Sequence, residues 1–209
     1  MGQESPIVLA LDTTDRVRAL EVVEKTRDHL AAVKIGWPAL LSLGKGFITE
    51  IRRMGIPVIA DLKLADIDNT IKLIVDQVLA AGAEYVIGQP FVGKQSYGLV
   101  NPKKLILVVE MSHPGALEYI QGHTEAFCKM AKELGVHGIV APATRPERVR
   151  QIREWVGPDI KIYSPGVGAQ GGSGKDVLAA GANYIIVGRT IYGDKEPGKA
   201  VKKVLDSLK

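Results

Sequence analysis

The chain has 209 residues, of which 46% are hydrophobic and 24% charged, and its formal net charge at pH 7 is +4. These values predict one soluble globular domain over residues 1–209, and they exclude a disordered chain or one with a long apolar run that spans a membrane. The 27 basic and 23 acidic residues are spread along the chain and only 5% of residues are aromatic, so the composition does not indicate a nucleic-acid-binding surface.

Short apolar segments recur along the chain, and amphipathic segments with the period of a helix lie between most of them. Eight strands are predicted, at residues 7–11, 32–36, 57–63, 85–88, 105–111, 138–142, 161–166 and 184–188. The clearest helical segments are 16–31, 71–82 and 146–157. The lysine-rich end from Lys199 to Lys209 predicts a docked helix whose lysines face solvent. Residues 89–104 form the connection with the weakest helical pattern.

The alternation of strands and helices is typical of parallel strands with crossover helices. Several of these strands are continuous apolar runs, as expected of strands that are buried on both faces. This favours an α/β fold of the (β/α)8 TIM barrel type, with a doubly wound open sheet as the alternative on periodicity alone. Polar residues fall at or just past the C-terminal strand ends, where barrels assemble their active sites. They are Asp12, Lys34, Asp61, Lys63, Ser112, Gly188 and Arg189.

Neither the cysteine content nor the N-terminus indicates export. Cys128 is the only cysteine and lies in the apolar pattern of a helix, which predicts a small core residue rather than a nucleophile. The first six residues, MGQESP, lack the basic and apolar regions of a signal peptide. We therefore expect a cytoplasmic protein.

The segment DLKLADIDNT at residues 61–70 carries charged side chains at a strand end. Because side chains alternate along a strand, Asp61 and Lys63 are expected on the same side. A helix is expected from Ala65 onward, with Asp66 and Thr70 four residues apart on one face. The alternative is a strand-end ion pair followed by an acidic residue at a helix N-terminus, without a catalytic role.

Two segments near the C-terminus have the composition of a phosphate site. The glycine-rich SPGVGAQGGSG, from Ser164, follows the seventh strand, and the pair Gly188-Arg189 follows the eighth. The loops after these two strands of a TIM barrel commonly bind phosphate. Glycines let backbone N–H groups approach an anion, and a guanidinium binds it through two parallel hydrogen bonds. A flexible surface loop beside a solvated arginine is the alternative.

Taken together, these motifs resemble the orotidine 5'-monophosphate decarboxylase family. The DLKLADIDNT segment is accompanied, in the family's order, by LALD ending at Asp12, VKIG containing Lys34, MSHPGA containing Ser112, SPGVGAQGG, and VGR ending at Arg189. The resemblance spans nearly the whole chain. It implies a cofactor-free lyase of de novo pyrimidine biosynthesis, which converts orotidine 5'-phosphate to UMP and CO2 by direct protonation at C6.

The resemblance also implies a role for each site residue. Lys63 is expected to protonate C6 beside Asp61, and Lys34 and Asp66 are expected to complete an alternating charge network. Asp12 and Lys34 are expected at the ribose hydroxyls and Ser112 at the pyrimidine edge, although a serine before His-Pro-Gly is also a common turn former. The remaining substrate contacts implied are Pro165, Val167, Gln170, Gly188 and Arg189. In this family Asp66, Ile67 and Thr70 come from the partner subunit of a homodimer.

Two other functions compete with this interpretation. Related sugar-phosphate decarboxylases and aldolases share the barrel and a D-x-K-x-x-D segment, but they need magnesium, held partly by a second-strand glutamate. This chain has Lys34 on the second strand, and its histidines lack the spacing of metal ligands, so no metal and no cofactor are expected. A catalytically silent nucleotide-binding barrel is the other alternative, and intact Asp61, Lys63 and Asp66 argue against it.

Overall fold

Eight parallel strands close into a barrel in which each strand pairs with the next and the eighth pairs with the first. The structure, a computed structural model, describes residues 5–209. The prediction of a cytoplasmic location used the N-terminal segment MGQESP, of which residues 1–4 lie outside the described residues. The cytoplasmic location therefore stays a prediction. The strands are β1 (Ile7–Ala10), β2 (Ala32–Gly36), β3 (Val58–Leu64), β4 (Tyr85–Gly88), β5 (Leu105–Val108), β6 (Gly138–Val140), β7 (Lys161–Pro165) and β8 (Tyr184–Val187).

Helices connect the strands and cover the outside of the barrel. Over residues 5–209 they are α1 (Arg16–Thr26), α2 (Trp37–Leu43), α3 (Gly46–Arg53), α4 (Asp68–Ala80), α5 (Ala116–Tyr119), α6 (Thr124–Leu134), α7 (Pro146–Val156), α8 (Gly174–Ala179), α9 (Arg189–Tyr192) and α10 (Pro197–Asp206). The closed barrel and all eight predicted strands are confirmed, and the open-sheet alternative is wrong. No helix in this described range is long and apolar enough to cross a membrane.

The core has an inner and an outer layer because side chains alternate along each strand. The inner layer fills the barrel and consists of Val8, Ala10, Ala32, Ile59, Ile87, Ile106, Val108, Val140, Tyr163 and Ile186. The larger outer layer lies between the strands and the helices and includes the buried Cys128, as predicted for a core cysteine. In α10, Val201 and Val204 are buried, which confirms the docked C-terminal helix.

An aromatic cluster lies at the N-terminal ends of the strands, opposite the end where active sites form. The ring of His137 stacks on Tyr85 with 3.8 Å between the centroids, and its Nε2 lies 2.9 Å from the hydroxyl of Tyr163. Burial lowers the pKa of His137 to about 4, so this imidazole is neutral at pH 7. His137 therefore contributes to packing.

Several sequence-based boundaries are wrong, most of them by a single residue and the following three by more. β5 ends at Val108 rather than Met111, because the N–H groups of Val109 and Glu110 both point at the carbonyl of Val140, at 3.2 and 3.3 Å, and this breaks the ladder. β6 ends at Val140 rather than at residue 142. α1 ends at Thr26 rather than at residue 31, and a 3-10 turn follows at Arg27–His29.

The connection at residues 89–104, which has the weakest helical pattern in the sequence, contains three 3-10 turns, at Pro90–Val92, Lys94–Tyr97 and Pro102–Lys104. Tyr97 is buried at its centre, with its hydroxyl 3.0 Å from the carbonyl oxygen of Leu64 and 2.9 Å from that of Gln89. A Cβ at Gly88 would lie 2.3 Å from this hydroxyl, so only glycine fits there. The connection therefore anchors the C-terminal end of β3, one residue beyond Lys63.

Candidate active site

A pocket of about 380 Å³ opens at the C-terminal end of the barrel. Its floor is apolar and consists of the inner-layer residues Ala10, Ile87, Val108, Val140 and Ile186. Its polar side chains come from the loops and strand ends: Asp12, Lys34, Asp61, Lys63, Ser112, His113, Gln170, Arg189 and Tyr192. Pro165, Val167 and Gly188 also line it. An apolar pocket with a few convergent polar groups is the usual form of a small-molecule site.

Three charged side chains form a cluster on the β2–β3 side of this pocket. The Nζ of Lys34 lies 2.6 Å from Oδ2 of Asp61, and the Nζ of Lys63 lies 2.9 Å from both oxygens of the same carboxylate. Asp61 is 6% exposed at its side chain, whereas Lys63 is 42% exposed and lies toward the pocket opening. One buried carboxylate is thus bound by two ammonium groups, and one of these is free to approach a ligand.

The electrostatics of the cluster keep Asp61 ionised. Burial alone raises the pKa of this carboxyl, but the charges and hydrogen bonds of Lys34 and Lys63 lower it more, and the net shift is downward. At neutral pH the pocket therefore presents a fixed ammonium beside a fixed negative charge.

The backbone at Lys63 has an unusual conformation. Lys63 has φ = 45°, and it is the non-glycine residue with positive φ in the described part of the chain. Leu62 and Lys63 are extra residues on β3, because Asp61 pairs with Ile87 of β4 while Leu64 already pairs with the next residue, Gly88. Side-chain alternation nevertheless holds, so the prediction that Asp61 and Lys63 share a side is confirmed. Such backbone strain concentrates at functional sites.

Asp12 follows β1 and lies next to β2. A Cβ at Gly36 would lie 3.1 Å from Oδ1 of Asp12, so the glycine of the VKIG motif leaves the space that this carboxylate occupies. Asp12 and Lys34 line the same pocket. They present one acceptor and one donor side by side, an arrangement suited to a pair of hydroxyl groups.

The glycine-rich loop after β7 lies against the segment after β8 at the rim of the pocket. Gly166, Gly168 and Gly171 all have positive φ, and the loop closes on itself through the hydrogen bond from the N–H of Gly172 to the carbonyl of Gly166, at 3.0 Å. A Cβ at Gly168 would lie 2.6 Å from Oγ1 of Thr190, so the loop passes directly over the residue beside Arg189. Gln170 and Arg189 thereby line one pocket.

The segment after Lys63 does not form as predicted. The helix α4 begins at Asp68 rather than Ala65, because Ile67 is extended and Asp66 accepts a hydrogen bond from the N–H of Ile67 at 2.7 Å. Asp66 therefore lies before the helix and does not share a helical face with Thr70. Within residues 5–209, neither these two residues nor Ile67 line the pocket of their own chain. Ile67 is 65% exposed.

Several pocket residues were missed in the sequence. Met111, His113 and Tyr192 line the pocket, and Thr144 donates a hydrogen bond from Oγ1 to the carbonyl of Ser112 at 3.0 Å. Glu110, a fully buried carboxylate, lies just before Met111. A signal for Glu110 was present, because it is the one charged residue in the apolar run LILVVEM.

The described residues, 5–209, contain no group of three or more His, Cys, Asp or Glu side chains that could hold a metal ion.

Comparisons with known proteins point to one family. The family described as "Orotidine 5'-phosphate decarboxylase / HUMPS family" matches residues 5–204. The chain is 50% identical to an orotidine 5'-phosphate decarboxylase of Thermococcus kodakarensis over 99% of this chain and 98% of the relative. A crystal structure of the enzyme from Pyrococcus horikoshii superposes with a TM-score of 0.91 at 46% identity, covering 97% of this chain and 98% of that one. The structure of the Methanocaldococcus jannaschii enzyme in complex with the inhibitor BMP gives 0.92 at 42% identity, covering 99% of each chain.

Proposed function

The chain belongs to the orotidine 5'-phosphate decarboxylase / HUMPS family, and from this premise we propose that it decarboxylates orotidine 5'-phosphate to UMP and CO2 in pyrimidine biosynthesis. The observation that carries the proposal is the ammonium of Lys63, held 2.9 Å from both oxygens of the buried Asp61 above an apolar floor. Relatives that are 50% and 49% identical to this chain carry the same activity in their names.

The chemistry of this decarboxylation calls for a fixed positive charge. When the bond between C6 and the carboxylate breaks, the electron pair stays on C6 in the plane of the ring, where no adjacent carbonyl accepts it. The barrier must therefore fall through charges placed for the transition state. Lys63 stabilises the developing carbanion and transfers a proton from Nζ to C6 as CO2 leaves. Asp61, which Lys34 also binds, holds that ammonium in place.

The other pocket residues hold the substrate. Asp12 and Lys34 bind ribose hydroxyls, and Ser112 hydrogen-bonds the edge of the pyrimidine. Pro165 and Val167 cover the base. Gln170, the backbone at Gly188 and the guanidinium of Arg189 bind the 5'-phosphate. All of these residues line the one pocket, which supports the assignment.

We further propose a homodimer in which Asp66, Ile67 and Thr70 complete the neighbouring site. These residues lie outside their own pocket, at the start of α4, and an apolar surface lies between α2 and later residues of α4. The exposed fractions there are high for large hydrophobic side chains: 47% for Trp37, 78% for Leu41 and 68% for Leu73. Contiguous exposed apolar surface marks an interaction site, and a second copy of this chain covers it in the proposed assembly.

The alternatives fit the site less well. A magnesium-dependent sugar-phosphate enzyme needs oxygen ligands beside Asp61, whereas here the ammonium of Lys34 lies 2.6 Å from that carboxylate. A silent nucleotide-binding barrel has no need of the strained Lys63 and its buried partner.

The test of this function is the ultraviolet absorbance change when orotidine 5'-phosphate is added to the purified protein, with and without EDTA. We expect turnover to UMP that EDTA leaves unchanged. Turnover that stops with EDTA and returns with Mg²⁺ would contradict the cofactor-free reaction. Binding of UMP without any turnover of orotidine 5'-phosphate would identify a silent binder.

Arg189 offers a test of the phosphate site. In Arg189→Ala, we expect kcat/KM for orotidine 5'-phosphate to fall about 10- to 100-fold, because a charge-assisted contact to the phosphate is lost. With orotidine, which lacks the phosphate, the variant and the wild type should react equally. Arg150→Ala, at an exposed position of α7, is the matched control and should behave as wild type. An equal loss with both substrates would show that Arg189 acts elsewhere.

A further inference from the structure

Glu110 is a fully buried carboxylate that the proposed mechanism does not use. It accepts hydrogen bonds from Thr124 Oγ1 at 2.8 Å, from Arg148 Nε at 3.1 Å and Nη2 at 2.8 Å, from Arg145 Nε at 3.2 Å, and from Gln121 Nε2 at 3.4 Å. Burial raises the pKa of this carboxyl, but the hydrogen bonds and charges of its partners lower the pKa by more than burial raises it. Glu110 is therefore ionised. One buried anion thus holds two arginines.

Arg145 connects this cluster to the pocket. Its Nε donates to Glu110, while its Nη2 donates to the carbonyl of Met111 at 2.5 Å. The preceding residue, Thr144, donates to the carbonyl of Ser112 at 3.0 Å. Two neighbouring residues of the segment after β6 therefore hold two neighbouring carbonyls of the segment after β5, and both Met111 and Ser112 line the pocket.

Strand pairing does not fix Ser112 in the described structure. The ladder between β5 and β6 ends where the N–H groups of Val109 and Glu110 share the carbonyl of Val140. Beyond that point, the position of Ser112 depends on the contacts from Thr144 and Arg145. The guanidinium of Arg145 has a defined orientation because its Nε donates to Glu110 while its Nη2 donates to the carbonyl of Met111.

Stability alone is a weak reason for this cluster. Burying a carboxylate with two guanidinium groups carries a large desolvation cost, and well-packed apolar residues often stabilise a protein equally well. A geometric role accounts for it better, because charged hydrogen bonds fix direction as well as distance. We propose that Glu110 is a positioning residue, which holds Arg145 against the carbonyl of Met111 and thereby sets the orientation of Ser112 toward the pyrimidine edge.

This inference rests on the proposed function, and a double-mutant cycle tests it. We measure kcat and KM for orotidine 5'-phosphate in the wild type, Glu110→Gln, Ser112→Ala and the double variant. Glu110→Gln should lower kcat/KM roughly 10- to 100-fold, as expected for a misplaced contact in a reacting complex. In the Ser112→Ala background the same substitution should lower kcat/KM less than about threefold, because the effects of two coupled residues on the free energy are not additive.

A purely structural role predicts a different result. The losses in kcat/KM from Glu110→Gln and from Ser112→Ala would then multiply in the double variant, and that outcome overturns the proposal. Wild-type activity in Glu110→Gln also overturns it. If Glu110→Gln does not fold, as judged by circular dichroism, the cycle is run with Arg145→Lys, which keeps a positive charge but loses the planar group that donates to Glu110 and to Met111 from two nitrogen atoms. Arg148→Lys is the matched control, since Arg148 binds Glu110 but makes no hydrogen bond to the described residues of the β5 segment other than Glu110.

The wild-type measurement separates the two proposals. A wild type that leaves orotidine 5'-phosphate unchanged contradicts the proposed function itself. A wild type that turns over, with losses that multiply in the cycle, contradicts only the role of Glu110.

Discussion

Replacing Lys63 by alanine is expected to lower kcat for orotidine 5'-phosphate by at least about 10⁴-fold. The variant loses the proton donor, a contribution of roughly 10²- to 10⁴-fold, and also the placed charge, which contributes roughly 10²- to 10³-fold. Asp61 keeps its contact with Lys34 at 2.6 Å, so the remaining pocket should stay folded. Absorbance assays at high enzyme concentration give the residual rate.

Two measurements make the Lys63 result specific. Lys199→Ala removes an exposed lysine that pairs with Glu196 on the surface, and its rate should equal that of wild type. Binding of UMP to Lys63→Ala, measured by calorimetry, should change less than about tenfold, because UMP has no carboxylate at C6. A Lys63→Ala variant that retains more than about a hundredth of the wild-type rate would remove Lys63 from the role of catalytic acid.

The barrel was predictable because its signal is spread over the whole chain. Strands that are buried on both faces must be apolar throughout, and eight such runs separated by amphipathic segments leave few other folds. The pocket followed from the same pattern, since polar residues at the C-terminal ends of parallel strands meet at one mouth. Asp12, Lys34, Asp61, Lys63, Ser112 and Arg189 all line it, as predicted.

Local backbone geometry was not predictable in this way. The positive φ of Lys63 and the two extra residues of β3 depend on how β3 pairs with β4. The spacing of apolar residues along the sequence carries no information about that pairing. The later start of α4 depends on Asp66, whose short side chain binds the backbone of the next residue. The cluster around Glu110 joins residues up to 38 positions apart, and its local trace in the sequence is one acidic residue in an apolar run.

Hybrid dimers test the proposal that Asp66 acts in the neighbouring site. Lys63→Ala and Asp66→Asn should each give a homodimer with very low activity. In a hybrid of the two, one site lacks both groups, while the other combines an intact Lys63 with an intact Asp66 from its partner. Because the dimer has two equivalent sites, the hybrid should show about half the wild-type activity. Co-expression with two different affinity tags and two-step purification yield the hybrid.

The matched control pairs Lys63→Ala with Asp61→Asn. The Nζ of Lys63 lies 2.9 Å from Oδ1 of Asp61 within one chain, so each site of that hybrid lacks one of the two residues. The activity of the hybrid should therefore stay at the level of the homodimers. If Asp66 acted in its own subunit, the Lys63→Ala and Asp66→Asn hybrid would behave in the same way as this control. Recovery in the first hybrid but not in the second therefore requires that Asp66 reach across the dimer, and activity then depends on assembly.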